Sequence, residues 1–177
     1  MPTMSESART AIARLAPSML LQYALRHDFV TAPALDWGCG RGADVQCLRE
    51  RGIEVHGYDP HWQPNLPPHR DFAFGQCIYV MNVLRGTEER LQSLRQLKSY
   101  LAPGAVLWVA ARSQQSVLAA ATRGAWSPLG EGFMTSRKTY QEGFTDQSMQ
   151  ALLVLAEFSD VQTSSYRDTV FGFASNG

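Results

Sequence analysis

The sequence predicts an α/β fold, in which helices cover both faces of a mostly parallel sheet and an antiparallel hairpin closes the chain. Three observations support this prediction. Short apolar runs alternate along the chain with segments of helical spacing, which is typical of parallel sheets. A glycine-rich turn, with Gly38, Gly40 and Gly42, directly follows a short apolar run. Two β-prone runs separated by "RDT" stand near the C-terminus.

Length and composition indicate one globular domain spanning residues 1–177 and exclude few partners. The chain has 177 residues, within the usual range for one domain. Its 16 basic and 16 acidic side chains cancel, so no net field attracts a nucleic acid or an anionic membrane. Nucleic acid is therefore neither implied nor excluded as a partner, and the oligomeric state is left open.

The cysteines and the apolar runs predict a cytoplasmic protein without a metal site or a membrane span. Cys39, Cys47 and Cys77 are odd in number and lack the close pairing of a zinc site. No leader with a basic start, an apolar middle and a cleavage site is recognisable. The longest apolar runs, such as Ala105 to Ala111, are far shorter than the roughly 20 residues that cross a bilayer.

The first third of the chain contains a predicted strand–helix–strand unit behind an N-terminal segment. Between residues 5 and 27, apolar residues recur at helical spacing with a break at Pro17, which predicts two short helices. We expect this segment, residues 1–28, to form a flap over the domain. Strands are then predicted at 34–37 and 53–58, with a helix at 43–51 between them.

The middle of the chain begins with a proline-rich segment that interrupts regular structure. Four prolines between Pro60 and Asp71 are incompatible with a helix or a central strand, so a loop is predicted there. Residues 72–83 are apolar and β-prone, 88–100 form an amphipathic helix, 105–111 form a parallel strand and 113–122 form another helix.

The last third combines an aperiodic segment with a helix and the closing hairpin. Residues 124–144 show glycines, aromatics and basic residues without a period, and we interpret them as a long loop on the substrate side. Thr145 is the predicted N-cap of a helix at 146–157, with Ser148 giving a weak form of the capping box. Strands at 161–166 and 170–174 form the hairpin.

The glycine turn with its flanking acids indicates a cofactor. Glycines at a strand-to-helix turn leave space for a ligand against the first amides of the helix. Gly38, Gly40 and Ala43 also satisfy the dinucleotide pattern G-x-G-x-x-G/A. However, Asp36 would repel a pyrophosphate and would suit a cationic amine. Asp59, at the end of the next strand, suits the ribose diol of either cofactor class.

The segment "DWGCGRG" resembles the first motif of the class I S-adenosylmethionine-dependent methyltransferases. The resemblance covers about residues 31 to 175 and implies a Rossmann-like three-layer sandwich. It implies that Asp36 and the backbone of Gly38 to Gly40 face the methionine part of the cofactor and that Asp59 binds the ribose. The full set of cofactor-binding residues that we expect is Asp36, Gly38, Cys39, Gly40, Asp59, Pro60, His61, Tyr79 and Asn82.

The chain departs from this family between the second and third predicted strands. Most members have a further strand and an acid-containing loop that touches adenine, whereas only the proline-rich loop follows Asp59 here. The sheet is therefore expected to lack one edge strand, which gives the order 2-1-4-5-7-6 in the family's labels. His61 and Trp62 could supply a flat surface for adenine in place of the missing acid.

A narrower resemblance links the chain to methyltransferases associated with DNA phosphorothioation. The segments "GYDPHWQP", "CIYVMNVL", "VAARS" and "TSRKTYQEGFT" carry it. Those proteins share the shortened linker and a T-x-x-x-T-[FY]-Q segment, matched here by Thr135, Thr139, Tyr140 and Gln141. The resemblance bears on the fold more than on the reaction.

The methyl acceptor is not identified by any motif. The amino-methyltransferase signature [DNS]-P-P-[YFW] is replaced by "MNVLRG", and no cysteine follows a proline as cytosine C5 chemistry would require. Ligands of such sheets meet the carboxyl ends of the strands. The candidate catalytic residues are Asn82, Arg112 and Tyr140, and the candidate grip on an anionic substrate is a cluster of Arg137, Lys138, Tyr140 and Gln141.

These observations favour methyl transfer from S-adenosylmethionine to an unidentified acceptor, either a small molecule or a nucleic acid. A methyltransferase fold without turnover, acting as a binding or scaffold protein, is the second hypothesis, motivated by the missing adenine-side acid. A dinucleotide-dependent reductase is the third. Fold analogy alone does not select the acceptor.

Overall fold

The computed structural model describes residues 7–177 and shows an α/β domain. A 3-10 turn, Ser7–Thr10, comes first. The helices are α1 (Met19–Arg26), α2 (Ala43–Glu50), α3 (Gly86–Lys98), α4 (Gln114–Gly124) and α5 (Asp146–Leu155). The strands are β1 (Ala34–Trp37), β2 (Val55–Tyr58), β3 (Phe72–Ile78), β4 (Leu101–Arg112), β5 (Ser127–Leu129), β6 (Gly132–Met134), β7 (Tyr140–Gln141), β8 (Ser159–Tyr166) and β9 (Thr169–Ser175).

The main sheet has the order β2-β1-β3-β4-β9-β8. Strands β1 to β4 pair in parallel, and β9 runs antiparallel to both β4 and β8. This order confirms the predicted mostly parallel sheet with an antiparallel C-terminal hairpin. It also confirms the missing edge strand, since β2 is the edge and residues 59–71 form the proline-rich connection to β3.

Helices pack on both faces of the sheet and complete the three layers. On one face, α3 and α5 contribute Leu94, Leu97, Met149 and Leu153 to a core shared with Leu107 of β4. On the other face, Ala24 of α1 packs with buried side chains of β1, β3 and β4, and Cys47 and Leu48 of α2 pack with Leu21 of α1 and Val55 of β2. The predicted sandwich is therefore confirmed.

The N-terminal segment differs from the predicted pair of short helices. Of the part that the structure describes, only residues 7–10 form a 3-10 turn, and residues 11–17 have no regular structure. Helix α1 begins after Ser18, whose hydroxyl accepts a hydrogen bond from the backbone N–H of Leu21. The predicted helix start at residues 5 and 6 lies outside the described residues. Apolar spacing alone was misleading, because Ile12 and Leu15 are exposed.

The prediction of a long loop at 124–144 is also wrong, because residues 127–141 form a second sheet, called the small sheet below. Strands β5, β6 and β7 pair antiparallel in sequence order. With two or three residues each, the strands are too short to show an alternating pattern. The turn from β6 to β7 is closed by Thr135 and Thr139, whose hydroxyl groups lie 2.7 Å apart.

The predicted cap of α5 is confirmed and gives a testable stability prediction. The Thr145 hydroxyl accepts from the backbone N–H of Ser148 at 3.1 Å, and the Ser148 hydroxyl accepts from the N–H of Thr145 at 2.9 Å. Thr145→Ala is expected to lower the free energy of unfolding by about 1 kcal/mol, measured by urea denaturation. Thr122→Ala, which removes a hydroxyl that bonds only within α4, is the matched control. Equal effects of the two substitutions would contradict a capping role.

Candidate functional site

A tight turn from β1 into α2 forms the floor of the candidate site. Gly38, Gly40 and Gly42 all have positive φ, at 79°, 54° and 81°. The backbone N–H groups of Gly38 and Cys39 both donate to the carbonyl oxygen of Tyr58 at the end of β2, at 2.7 and 3.0 Å. The turn is therefore fixed to the neighbouring strand, with its backbone accessible from the carboxyl ends of the strands.

Asp59 joins this turn to the loop that follows β2. Its Oδ2 accepts from the N–H of Gly40 at 3.1 Å. Its Oδ1 accepts from the N–H groups of His61 and Trp62 at 2.9 and 3.1 Å. A carboxylate offers about four acceptor sites, so these three bonds leave capacity for a ligand hydroxyl.

A cavity of about 310 Å³ opens above the turn. Four segments line it: residues 10–12 and 14; 38–41 and 43; 59–61; and 78–80, 83 and 84. Seven of the predicted cofactor-binding residues line the cavity, namely Gly38, Cys39, Gly40, Asp59, Pro60, His61 and Tyr79. The volume falls within the roughly 300–1,000 Å³ typical of small-molecule sites.

The N-terminal segment contributes a wall that the sequence analysis did not assign to particular residues. Arg14 lines the cavity, and its guanidinium lies 3.3 Å from a carboxylate oxygen of the buried Asp44. Asp44 also accepts from the backbone N–H and the hydroxyl of Ser18, at 2.6 and 2.8 Å. This arrangement anchors the predicted flap to α2. No local pattern could have paired Arg14 with an acid on a later helix.

Asp36 lies beneath the turn, outside the cavity lining. The side chain is buried on β1. Burial, followed by the charge of Asp44, raises the pKa of the Asp36 carboxyl to about 7. The group is therefore partly protonated near neutral pH, unlike the permanent carboxylate assumed from the sequence.

Of the two rings expected to provide a flat surface, only His61 lines the cavity. The ring of Trp62 is instead covered by the guanidinium of Arg41, whose central carbon lies 3.9 Å from the ring centroid. This is a cation–π contact. Tyr79 also lines the cavity, with its hydroxyl 2.8 Å from the hydroxyl of Thr169 on β9.

The structure places the three candidate catalytic residues outside the cavity lining. Asn82 is buried and donates from Nδ2 to Oε1 of Gln141 at 3.1 Å. Tyr140 is buried, and its hydroxyl donates to Glu142. Arg112 donates to the carbonyl and hydroxyl oxygens of Ser116, and burial lowers its pKa.

The proposed basic and aromatic cluster does not form one surface. Arg137 and Lys138 are exposed, whereas Tyr140 is buried and Gln141 is bonded to Asn82. Lys138 contributes its carbonyl oxygen, which accepts from the guanidinium of Arg9 at 2.8 Å. The bond connects the N-terminal segment to the turn between β6 and β7.

Cys39 and Cys77 remain thiols near neutral pH. Burial, followed by the charges of Asp36 and Asp59, raises the pKa of the Cys39 thiol, and burial raises that of Cys77. All three cysteines are buried. Among residues 7–177, no helix is long and apolar enough to cross a membrane, and no group of acids, histidines and cysteines could hold a metal.

Comparison of the sequence with protein-family models gives a match over residues 4–151 to a family described as a methyltransferase domain. The matched region contains the glycine turn, Asp59 and every other segment that lines the cavity. A search of curated proteins gives no match.

Solved structures with a similar fold include several methyltransferases. One is the 1,6-didemethyltoxoflavin-N1-methyltransferase of Burkholderia thailandensis, with bound 1,6-didemethyltoxoflavin and S-adenosylhomocysteine. It has 17% sequence identity and a TM-score of 0.61, over 96% of this chain and 77% of that one. A methyltransferase from Archaeoglobus fulgidus has 13% identity and a TM-score of 0.61, over 89% and 93%. A methyltransferase from Mesorhizobium loti has 12% sequence identity and a TM-score of 0.60, over 88% of this chain and 97% of that one.

Proposed function

The chain belongs to the methyltransferase domain family, and we propose that it transfers a methyl group from S-adenosylmethionine to a methyl acceptor. The observation that supports this most directly is the joint arrangement of the glycine turn and Asp59 at one cavity. An acid at the end of β2 bonded to the N–H of Gly40 places a diol-binding group next to an open backbone turn.

The residues that line the cavity fit the three parts of this cofactor. Asp59 retains acceptor capacity for ribose hydroxyls, and Pro60 and His61 offer a surface for adenine. The backbone of Gly38 to Gly40 and the cation of Arg14 face the space left for the methionine part, whose carboxylate suits a guanidinium. Asp36 and Asn82 lie outside the lining, so the proposed contacts do not include them.

The chain's own contribution to the reaction is positioning. When bound, S-adenosylmethionine would supply a methyl group on its positively charged sulfonium sulfur, and the neutral thioether of S-adenosylhomocysteine would be the leaving group. The apolar side chains of Val80, Val83 and Leu84 line the cavity and limit water there. The contacts at Asp59 and at the turn fix the cofactor's orientation, which is the main requirement for in-line transfer.

The narrower family resemblance bears on the choice of acceptor. A closer relation to methyltransferases associated with DNA phosphorothioation is supported by the shortened connection after Asp59. The shared threonines, Thr135 and Thr139, close the turn between β6 and β7 through their hydroxyl groups. That segment therefore has a structural role, which explains its residue types without a contact to nucleic acid.

The test is calorimetric titration with S-adenosylmethionine and S-adenosylhomocysteine, with NADH as the control ligand. Asp59→Ala is expected to weaken binding about 100-fold, because charged hydrogen bonds to the ribose are lost. Asp71→Ala, which removes an exposed acid from the same loop, should leave the affinity unchanged.

Each outcome of the titration selects among the hypotheses. Equal affinity of Asp59→Ala and the unmodified protein would contradict the ribose contact. Binding of NADH in place of the methyl donor would favour the reductase. Binding of the methyl donor, without transfer to any acceptor in a screen that includes nucleic acids, would favour the scaffold protein.

A further inference from the structure

An ion pair between the buried Arg90 and the partly buried Glu142 connects α3 to the chain directly after β7. Arg90 of α3 donates from Nη1 to Oε1 of Glu142 at 2.7 Å and from Nη2 to Oε2 at 2.5 Å. The exposed fractions of the two side chains are 5% and 15%. Burial raises the pKa of Glu142, but the hydrogen bonds from Arg90 and Tyr140 outweigh it and lower the pKa.

The same guanidinium holds the loop that follows β3. Arg90 donates from Nε to the carbonyl oxygen of Met81 and from Nη2 to that of Leu84, both at 2.9 Å. These carbonyls belong to the segment 78–84, five of whose residues line the cavity. One buried cation therefore fixes the backbone of this cavity wall at two points.

The small sheet holds this loop from the other side. The backbone N–H of Glu142 donates to the carbonyl oxygen of Asn82 at 2.9 Å, and the Asn82 amide donates to Gln141. The Tyr140 hydroxyl donates to Oε2 of Glu142 at 2.5 Å. Burial is the larger cause and this hydrogen bond the second, and together they raise the pKa of Tyr140 to about 12. The carboxylate of Glu142 is thus shared between the sheet and Arg90.

We propose that Arg90 and Glu142 are positioning residues that hold the 78–84 wall of the cavity in the shape that binds the cofactor. This inference rests on the proposed function only for the identity of the ligand. An ion pair of this kind adds little net stability compared with apolar side chains of similar size. Its use here is the placement of two loop carbonyls and one strand, which apolar side chains do not provide.

The test separates positioning from stability with an apolar triple variant, Arg90→Met/Glu142→Leu/Tyr140→Phe. It removes both charges and the hydroxyl together, so none of these three groups is left unpaired. It also takes away the donor to the carbonyl oxygens of Met81 and Leu84, which is the contact under test. Amide hydrogen exchange of residues 79–84 in the ligand-free protein is the first readout. Exchange there is expected to become about tenfold faster, while exchange in β1 is unchanged.

The second readout is the affinity for S-adenosylhomocysteine, by calorimetry. The triple variant is expected to keep a Tm close to that of the unmodified protein and to bind about tenfold more weakly, because the loop is no longer ordered in advance. Glu142→Gln is the second variant if the triple variant does not fold. It should also show faster exchange at residues 79–84 and weaker binding of S-adenosylhomocysteine. Glu88→Gln on α3 is the matched control.

Unchanged exchange at residues 79–84 would overturn the proposal, whatever the ligand. Faster exchange with unchanged affinity would also overturn it, since the loop's order would then not matter for binding. If the unmodified protein binds neither form of the cofactor, the proposed function fails, and the exchange measurement still decides whether the ion pair orders the loop.

Discussion

Gly38→Ala is expected to lower the free energy of unfolding by about 3 kcal/mol and to abolish binding of S-adenosylmethionine. Two effects add. The residue has φ of +79°, a conformation that alanine adopts only with strain, and a Cβ at this position would stand 2.2 Å from Cγ2 of Val80. Both the turn and Val80 line the cavity, so relief of the clash must move its wall. Urea denaturation and calorimetric titration measure the two effects.

Gly52→Ala isolates the strain from the clash. Gly52 also has positive φ, at +72°, but no heavy atom lies within 4 Å of its added Cβ. It follows α2, away from the cavity, so its replacement should cost about 1 kcal/mol and leave binding unchanged. The double variant Gly38→Ala/Val80→Ala should recover part of the stability. Equal costs at Gly38 and Gly52 would show that the contact with Val80 is unimportant.

Asp36→Asn is expected to change the pH dependence of stability. The pKa of Asp36 is about 7 in the folded protein and 3.8 in the absence of the fold. Between these values the folded chain holds a proton that the unfolded chain has released, so the free energy of unfolding falls as pH rises from about 4 to 7. Above pH 7 the buried carboxylate is charged, and the full desolvation cost of this charge lowers the free energy of unfolding. Asparagine carries no such cost.

The expected difference is large enough to measure directly. The free energy of unfolding of Asp36→Asn, minus that of the unmodified protein, should be larger at pH 8 than at pH 5 by about 3 kcal/mol. One pKa unit corresponds to 1.36 kcal/mol. Urea denaturation at both pH values measures it, with Asp71→Asn as the exposed control. Parallel pH profiles of Asp36→Asn and the unmodified protein would contradict an uncharged Asp36.

The raised pKa of Asp36 also changes the interpretation of the first motif. From the sequence, the acid two residues before Gly38 suits a cationic amine. In the structure it is buried beneath the turn beside Asp44, and Arg14 lies against Asp44 at the cavity. The charge that faces the ligand space at this end is therefore a cation from the N-terminal segment. Sequence position alone does not determine which side of a turn a carboxylate faces.

Local patterns predicted most elements, because short-range physics dominates there. The turn after β1 needs glycines at fixed spacing, since the backbone must adopt positive φ there. The cap of α5 needs only Thr145 and Ser148, three residues apart. The small sheet of β5 to β7 was missed because its strands are too short for a periodic signal, and pairing between them supplies their order.

By itself, the sequence determined the α/β class, the glycine turn and the acid at Asp59, because these depend on neighbours along the chain. The strand order with its missing edge strand followed from the resemblance to the methyltransferase family. Only the tertiary structure decided that Arg14 faces the cavity and that Arg90 pairs with Glu142, 52 residues away. It also decided that Asn82 and Tyr140 lie outside the cavity lining, in hydrogen bonds to Gln141 and Glu142. Burial and long-range pairing set these roles, and neither leaves a local pattern in the sequence.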